Sequence, residues 1–134
     1  MGRHEALVLY FYPKDFTIGC TKEACDFRDN YEALQHEGAI LVGVSSDDPE
    51  SHRRFKDKYA LPFPLAADID QSISRSYDVL RRFLPGPQRV TYVIDTSGVI
   101  RGAFRHELAI GRHQDDVLQT LRLLNRKSGY PRTE

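Results

Sequence analysis

Short apolar runs of strand-forming residues alternate with helix-patterned segments along the whole chain, and this alternation narrows the choice of fold. Ala6 to Tyr12 (ALVLYFY) is a run of β-formers closed by Pro13, the mark of a buried strand. Residues 13–19 read as a loop ending in Gly19. From Cys20 to about Glu37 the pattern is helical: Cys20, Ala24, Phe27, Tyr31 and Leu34 fall on one stripe, and Gly38 stands where a helix stops. Ala39 to Ser45 (AILVGVS) is a second buried strand. Ser46 to Asp48 followed by Pro49 is a helix start, and that helix runs to about Tyr59.

The segment LPFPLAAD contains a short extended piece, and Gln71 to Tyr77 one or two helical turns. Pro85 to Pro87 is a loop. Val90 to Ile94 and Val99 to Phe104 flank the turn DTSG and predict a hairpin. Gln114 to Asn125 closes the chain as a helix with Val117, Leu118, Leu121 and Leu124 on its apolar face, followed by a polar tail from Ser128. The order is β-α-β-α-(β)-β-β-α. Parallel strands joined by helices, then a hairpin and a last helix, predict an α/β thioredoxin-like sandwich with a central mixed sheet. A flavodoxin-like fold has no place for the hairpin.

The 134 residues fit one domain with a core of its own. No repeat, linker or low-complexity stretch divides them. Acidic and basic side chains balance at 19 each, without the basic excess of a nucleic-acid binder. No apolar run approaches the roughly 20 residues that cross a bilayer, and MGRHEALVLYFYPKD does not read as a signal peptide. A cytoplasmic location, with no membrane or nucleic-acid partner, is the expectation. A reducing cytosol disfavours a purely structural disulfide, so a thiol pair there points to catalysis or metal binding.

Both cysteines lie in YPKDFTIGCTKEAC, five positions apart. Cys20 falls at the first turn of the predicted helix, where unpartnered N–H groups and the helix dipole favour a thiolate. Lys14, Lys22 and Arg28 are near in sequence and add positive charge. Five residues of helix advance about 7.5 Å and turn about 140°, whereas a disulfide needs Cα atoms within about 7 Å and converging Cβ vectors. Cys20 and Cys25 therefore join only if the first turns unwind. Inert packing is the ordinary fate of two such cysteines. A metal site lacks the short cysteine loop and a following histidine pair, and His4, His36, His52, His106 and His113 are scattered as surface or core residues. A C-x-x-C redox motif is absent.

The run YFYPKDFTIGCTKEACDFRD resembles the active-site segment of peroxiredoxins, and is most similar to the bacterioferritin comigratory protein or peroxiredoxin Q subfamily. That family's Pro-x-x-x-Thr-x-x-Cys pattern falls on Pro13, Thr17 and Cys20, and the subfamily's second cysteine on Cys25. LPFPLAAD resembles a further family segment. QRVTYVID resembles the strand carrying the active-site arginine, which falls on Arg89, and Glu23 matches a glutamate often found three positions after the cysteine. Taken singly, Pro13 is a strand terminator, Thr17 a helix cap and Arg89 a solvated strand residue. The aromatic run Tyr10, Phe11, Tyr12 reads as core and pocket wall.

The resemblance implies a thioredoxin-dependent peroxidase acting on hydrogen peroxide and organic hydroperoxides without metal, haem or flavin. It implies that Cys20 is oxidised to a sulfenic acid, Thr17 holds peroxide and thiolate, Arg89 supplies fixed charge, Pro13 shields the sulfenate and Glu23 orients an arginine. Cys25 would resolve the sulfenate as an intramolecular disulfide, and thioredoxin or a similar dithiol would restore both thiols. Two departures stand out. Ile18 replaces the subfamily's proline before the glycine, which is expected to change loop rigidity. The family's N-terminal β-hairpin is not expected before Ala6, which would leave a sheet edge or face open to association; a monomer or weak homo-oligomer is the expectation. A thioredoxin-fold disulfide oxidoreductase, a non-catalytic redox sensor and an inactive remnant are the alternatives.

Overall fold

A computed structural model describes residues 5–80, 87–105 and 112–127, with side chains in the last segment described for 117–124. The strands are β1 (Ala6–Phe11), β2 (Ala39–Ser45), β3 (Leu65–Ala67), β4 (Val90–Asp95) and β5 (Ile100–Phe104). The helices are α1 (Ile18–Asp29), α2 (Tyr31–His36), α3 (Pro49–Tyr59), α4 (Ser72–Ser76) and α5 (Arg112–Lys127). The strands form one mixed sheet in the order β3-β2-β1-β4-β5. β1 lies at its centre, parallel to β2 with Ala6 opposite Ala39, and antiparallel to β4 with Phe11 opposite Val90. This is the thioredoxin-like arrangement that the alternation of elements predicts.

The continuous apolar run of β1 is explained by burial on both faces. Ala6, Val8, Tyr10 and Tyr12 point into a core shared with Ala24 and Phe27 of α1, Leu34 of α2, Phe55 of α3, and Val117 and Leu121 of α5. Leu9 and Phe11 point the other way, into a second cluster with Val44, Val79, Val90, Tyr92 and Ile94. Fully burying a side chain such as Phe27 or Leu121 contributes about 2 kcal/mol each. Gly43 of β2 lets the Tyr10 ring lie directly on the sheet: a Cβ there would sit 2.8 Å from Tyr10 Cζ.

One element departs from expectation, while the extended piece in LPFPLAAD and the helical turns within 71–77 are observed as β3 and α4. The helix expected over residues 20–37 starts earlier, at Ile18, and is divided into α1 and α2 at Asn30. The Asn30 side-chain amide donates to the Asp26 carbonyl at 2.8 Å, an alternative to straight helix continuation that its short polar side chain offers. The apolar stripe passes across this break, which is why periodicity alone did not reveal it. The extended piece in LPFPLAAD pairs parallel to β2, with Leu65 opposite Gly43. Helix α4 is fixed by the buried Asp68 carboxylate, which accepts the Ile73 and Ser74 N–H groups at 3.0 and 2.8 Å.

Caps elsewhere follow the sequence signals. Asp48 caps α3 by accepting the Ser51 N–H at 2.8 Å, with Pro49 in the first turn. Gly38 has φ +87° just after α2. In the hairpin turn, Asp95 accepts the Ser97 and Val99 N–H groups at 2.9 and 3.0 Å, and Gly98 takes φ +82°. The expected loop over 85–87 is described only at Pro87, which bridges to Leu80. His4, His106, the His113 side chain and the tail from Ser128 lie outside the described residues.

Candidate active site

Strand β1 runs out at Phe11, and residues 12–17 carry the chain into α1. Thr17 occupies the N-cap position with extended φ and ψ, but its side chain makes no capping bond. Its hydroxyl instead donates to the Lys14 carbonyl at 2.9 Å. The first helical bond runs from the Thr21 N–H to the Thr17 carbonyl at 2.8 Å. The first turn of α1 is thus left without a side-chain cap, and the positive end of the helix dipole lies at Cys20. Cys20 itself is buried, 1 % exposed, under the aromatic core.

A cation reaches the thiol from across the sheet. Arg89, immediately before β4, places Nη2 3.4 Å from the Cys20 sulfur. Its Nη1 donates to Glu23 Oε1 at 2.7 Å, and the Glu23 side chain is fully buried. Glu23 lies three residues after Cys20 on α1, so a single turn of helix presents thiol and carboxylate to the same guanidinium. Burial opposes charge on Arg89, but the Glu23 and Cys20 charges outweigh it, and the net shift is upward. The guanidinium remains a cation throughout the physiological range. The residues form a buried Cys–Arg–Glu cluster that can hold negative charge on sulfur or on an oxygen attacking beside it.

The sequence pattern of the AhpC/TSA family matches residues 2–103. The chain belongs to that family. Within it this peroxiredoxin is 39 % identical over 127 residues to peroxiredoxin Bcp of Bacillus subtilis (strain 168), covering 90 % of this chain and 80 % of that protein. It is 45 % identical over 121 residues to a chloroplastic peroxiredoxin Q of Populus jackii, covering 88 % of this chain but 56 % of that protein. The peroxiredoxin therefore spans little more than half the length of that chloroplast relative. In structure it superposes on the bacterioferritin comigratory protein of Xanthomonas campestris with a TM-score of 0.84 and 33 % identity, covering 92 % of this chain and 82 % of that one.

The other residues singled out in this peroxiredoxin are placed as follows. Cys25 is partly buried on the same unbroken α1, and the two cysteines are not joined. Pro13 is half-buried at the head of the loop, and Ile18 is 92 % exposed. Lys22 and Arg28 do not serve Cys20: Lys22 pairs with Asp26 at 3.1 Å, and Arg28 pairs with Asp29 and donates to the Tyr59 carbonyl at 2.7 Å. Lys14 is exposed. The positive charge beside the sulfur comes instead from a residue 69 positions away. Tyr10 and Tyr12 are buried in the core beneath this site.

A second polar cluster was not legible in the sequence. Asp15, Asp47 and His52 bring one metal-ligating atom each within 4.8 Å of one another. Those atoms are already engaged: Asp15 with Tyr12, Ser51 and His52, Asp47 with the Asp15 N–H and Ser45, and His52 also with the Ala66 carbonyl. The cluster is a hydrogen-bonded network behind the Cys20 loop. His52 carries no motif that marks it, and its partner Asp15 lies 37 positions away.

Proposed function

We infer that this chain is a thiol peroxidase of the two-cysteine kind. The observation that carries the reading is the Arg89 fork, which joins the Cys20 sulfur to the Glu23 carboxylate with all three side chains buried. The Cys20 thiolate attacks the distal oxygen of a hydroperoxide ROOH. The O–O bond breaks, sulfur gains an oxygen as sulfenic acid, and the leaving RO⁻ takes up a proton to give ROH. Charge moves from sulfur to the departing oxygen, and a fixed guanidinium stabilises it along that path. Removing one such donor typically costs about 10²–10³ in rate.

The remaining roles follow from placement. The Thr17 hydroxyl donates to Lys14, so its oxygen is left to accept the O–H of a hydroperoxide rather than to hold the thiolate as well. Pro13 is assigned to shielding the sulfenate, and Glu23 to holding Arg89 in the plane of the sulfur. The Cys25 thiol then condenses with the Cys20 sulfenic acid, releasing water and forming the disulfide. A dithiol of the thioredoxin class reduces it by exchange, in a reducing compartment such as the cytoplasm. Hydrogen peroxide and alkyl hydroperoxides are the proposed substrates. Alkyl peroxide reduction is the activity named for the Xanthomonas campestris relative.

Intact mass under non-reducing conditions tests the scheme. Reduced protein receives one equivalent of hydrogen peroxide and is quenched within seconds. Loss of two hydrogens in wild type, with one added oxygen in Cys25→Ser, supports attack by Cys20 and resolution by Cys25. No change on this timescale leaves an ordinary thiol and sinks the peroxidase reading. Repeated turnover with thioredoxin and its reductase separates a peroxidase from a redox sensor, which stops after one cycle.

A further inference from the structure

The loop that precedes Cys20 is tied down at one residue. Asp15 lies midway between Pro13 and Thr17, and its carboxylate is buried, 3 % exposed. Oδ1 accepts the Tyr12 hydroxyl at 2.6 Å. Oδ2 accepts the Ser51 hydroxyl at 2.8 Å and lies 2.8 Å from His52 Nδ1. The Asp15 main-chain N–H donates to Asp47 Oδ2 at 2.8 Å, and that same oxygen accepts the Ser45 hydroxyl at 2.7 Å. One loop residue is thereby bound to the end of β2, to the β2–α3 connection and to α3.

His52 faces acceptors on both sides. Nδ1 meets the Asp15 carboxylate, and Nε2 lies 3.1 Å from the Ala66 carbonyl of β3. A carbonyl only accepts, so the ring satisfies both neighbours when both nitrogens carry protons. The residue after Asp15 shows why a fastening is needed. Phe16 sits at φ +67°, a left-handed conformation that costs an L side chain roughly 1–2 kcal/mol. Such a conformation persists only where its surroundings over-determine it. Beyond Phe16 the chain enters Thr17 and the first turn of α1.

We propose that the buried Asp15–His52 pair is a latch that positions the Pro13–Thr17 loop for peroxide, with His52 acting as a positioning residue for the reaction at Cys20. The proposal rests on the thiol-peroxidase reading. Neither residue touches the sulfur: the latch acts through the loop that presents Pro13 and Thr17. Its engaged form is imidazolium on carboxylate, so deprotonation of His52 weakens it. The groups facing His52 are Asp15 and Tyr12 from the β1–α1 segment, Ser45 and Asp47 from the end of β2 and the turn after it, and the Ala66 carbonyl of β3. Arg53 and Lys56 of its own helix line the same surface cavity. Tyr12 stays neutral over the accessible range because burial, with the Tyr10 and Asp15 charges adding, pushes its hydroxyl far up. His52 is the imidazole of this network, and its pKa is raised from its ordinary value although burial opposes the charged form.

The test is done on the full chain in a Cys25→Ser background, so that only Cys20 reacts. Rates of one-oxygen addition by hydrogen peroxide and of alkylation by iodoacetamide are measured by intact mass from pH 5.5 to 8.5. Both reactions need the thiolate, so their ratio cancels its titration and reports what peroxide alone requires. In the parent this ratio falls as pH rises through the His52 titration. In His52→Asn, which keeps a donor toward Asp15 but no charge, the ratio is lower at acid pH by roughly ten- to a hundredfold and flat with pH. Ser51→Ala removes one donor to Asp15 and lowers the ratio a few-fold, which keeps the question open to test should His52→Asn fold poorly. A ratio unchanged by both variants, with the parent still fast toward peroxide, overturns the latch alone. A parent as slow with peroxide as an ordinary thiol overturns the peroxidase reading and the latch with it.

Discussion

Arg89 and Glu23, 66 residues apart in sequence, form a 2.7 Å ion pair with both side chains buried. Such a pair is a weak source of net stability, because desolvation consumes most of the attraction, but breaking it from one side strands a buried charge. Glu23→Ala is therefore expected to destabilise the fold by about 3–5 kcal/mol. Arg89→Lys keeps a charge but loses the planar fork that reaches sulfur and carboxylate together. It is expected to slow the peroxide reaction of Cys20 by about 10²-fold or more. Urea unfolding and rapid-quench mass spectrometry read the two effects separately, and an Arg89→Lys variant as fast as wild type would remove Arg89 from the chemistry.

His52 gives stability a pH dependence whose sign is fixed. Burial depresses its pKa, but the hydrogen bond and charge of Asp15, with the Ala66 carbonyl and Asp47 adding, outweigh burial, and the net shift is upward from 6.5. The folded protein then holds a proton that the unfolded chain releases between about pH 6.5 and the higher folded value. The contribution is fully present below about pH 6.5 and is lost as pH rises through the folded pKa. Urea midpoints measured from pH 5.5 to 8.5 are expected to decline in wild type relative to His52→Asn across that upper window. Parallel curves for the two proteins would show that folding leaves the His52 pKa unshifted, and a relative rise with pH would show that the ring is held neutral.

Gly43 is a position where a single methyl group should matter. A Cβ there would meet Tyr10 Cζ at 2.8 Å and Leu65 Cδ2 at 2.9 Å. The Tyr10 ring cannot retreat: it stacks on Phe27 with centroids 4.6 Å apart and on Tyr12 at 5.4 Å. Gly43→Ala is expected to cost about 1–3 kcal/mol by overpacking. Val42→Ala on the opposite face of β2 lacks this clash, and a Gly43→Ala variant as stable as wild type would show that the Tyr10 ring yields to the extra methyl group.

The order of elements was legible because the chain alternates two hydrophobic periods, and β1, β2 and β4 fall where their apolar runs lie. The break at Asn30 was not, since the stripe from Cys20 to Leu34 continues across it and the interruption comes from one side-chain amide on the Asp26 carbonyl. Cys20 and Glu23 share a helical turn and could be associated from spacing. Arg89 could be joined to them only through the family pattern, because the contact is made by sheet pairing between β1 and β4. Asp15 and His52 carry no such pattern, and only the parallel packing of α3 and β3 beside β2 brings them together. Thr17 shows the limit of residue-type reasoning: a helix-cap residue by type, its hydroxyl donates to the Lys14 carbonyl instead.

Resolution by Cys25 requires the most from the fold. Cys20 is 1 % exposed, both cysteines sit on one continuous helix, and five helical residues separate their Cα atoms by more than a disulfide tolerates. In the proposed cycle a Cys20 sulfenic acid would therefore wait for local opening of α1 rather than for diffusion of a partner. Closing the bond removes Cys20 from its place between Arg89 and the core, so the oxidised form lacks the packing that holds the first turns of α1 in the reduced form. Hydrogen exchange should show this directly. Amides of residues 18–25 are expected to lose protection on oxidation, while those of β1 and β2, buried at the sheet centre, keep theirs. The same comparison in Cys25→Ser treated with one equivalent of peroxide should leave α1 largely protected, because a sulfenic acid alone does not pull the helix apart. Full retention of protection across residues 18–25 in the oxidised wild type would mean that the disulfide forms between molecules, and non-reducing electrophoresis would then show a covalent dimer.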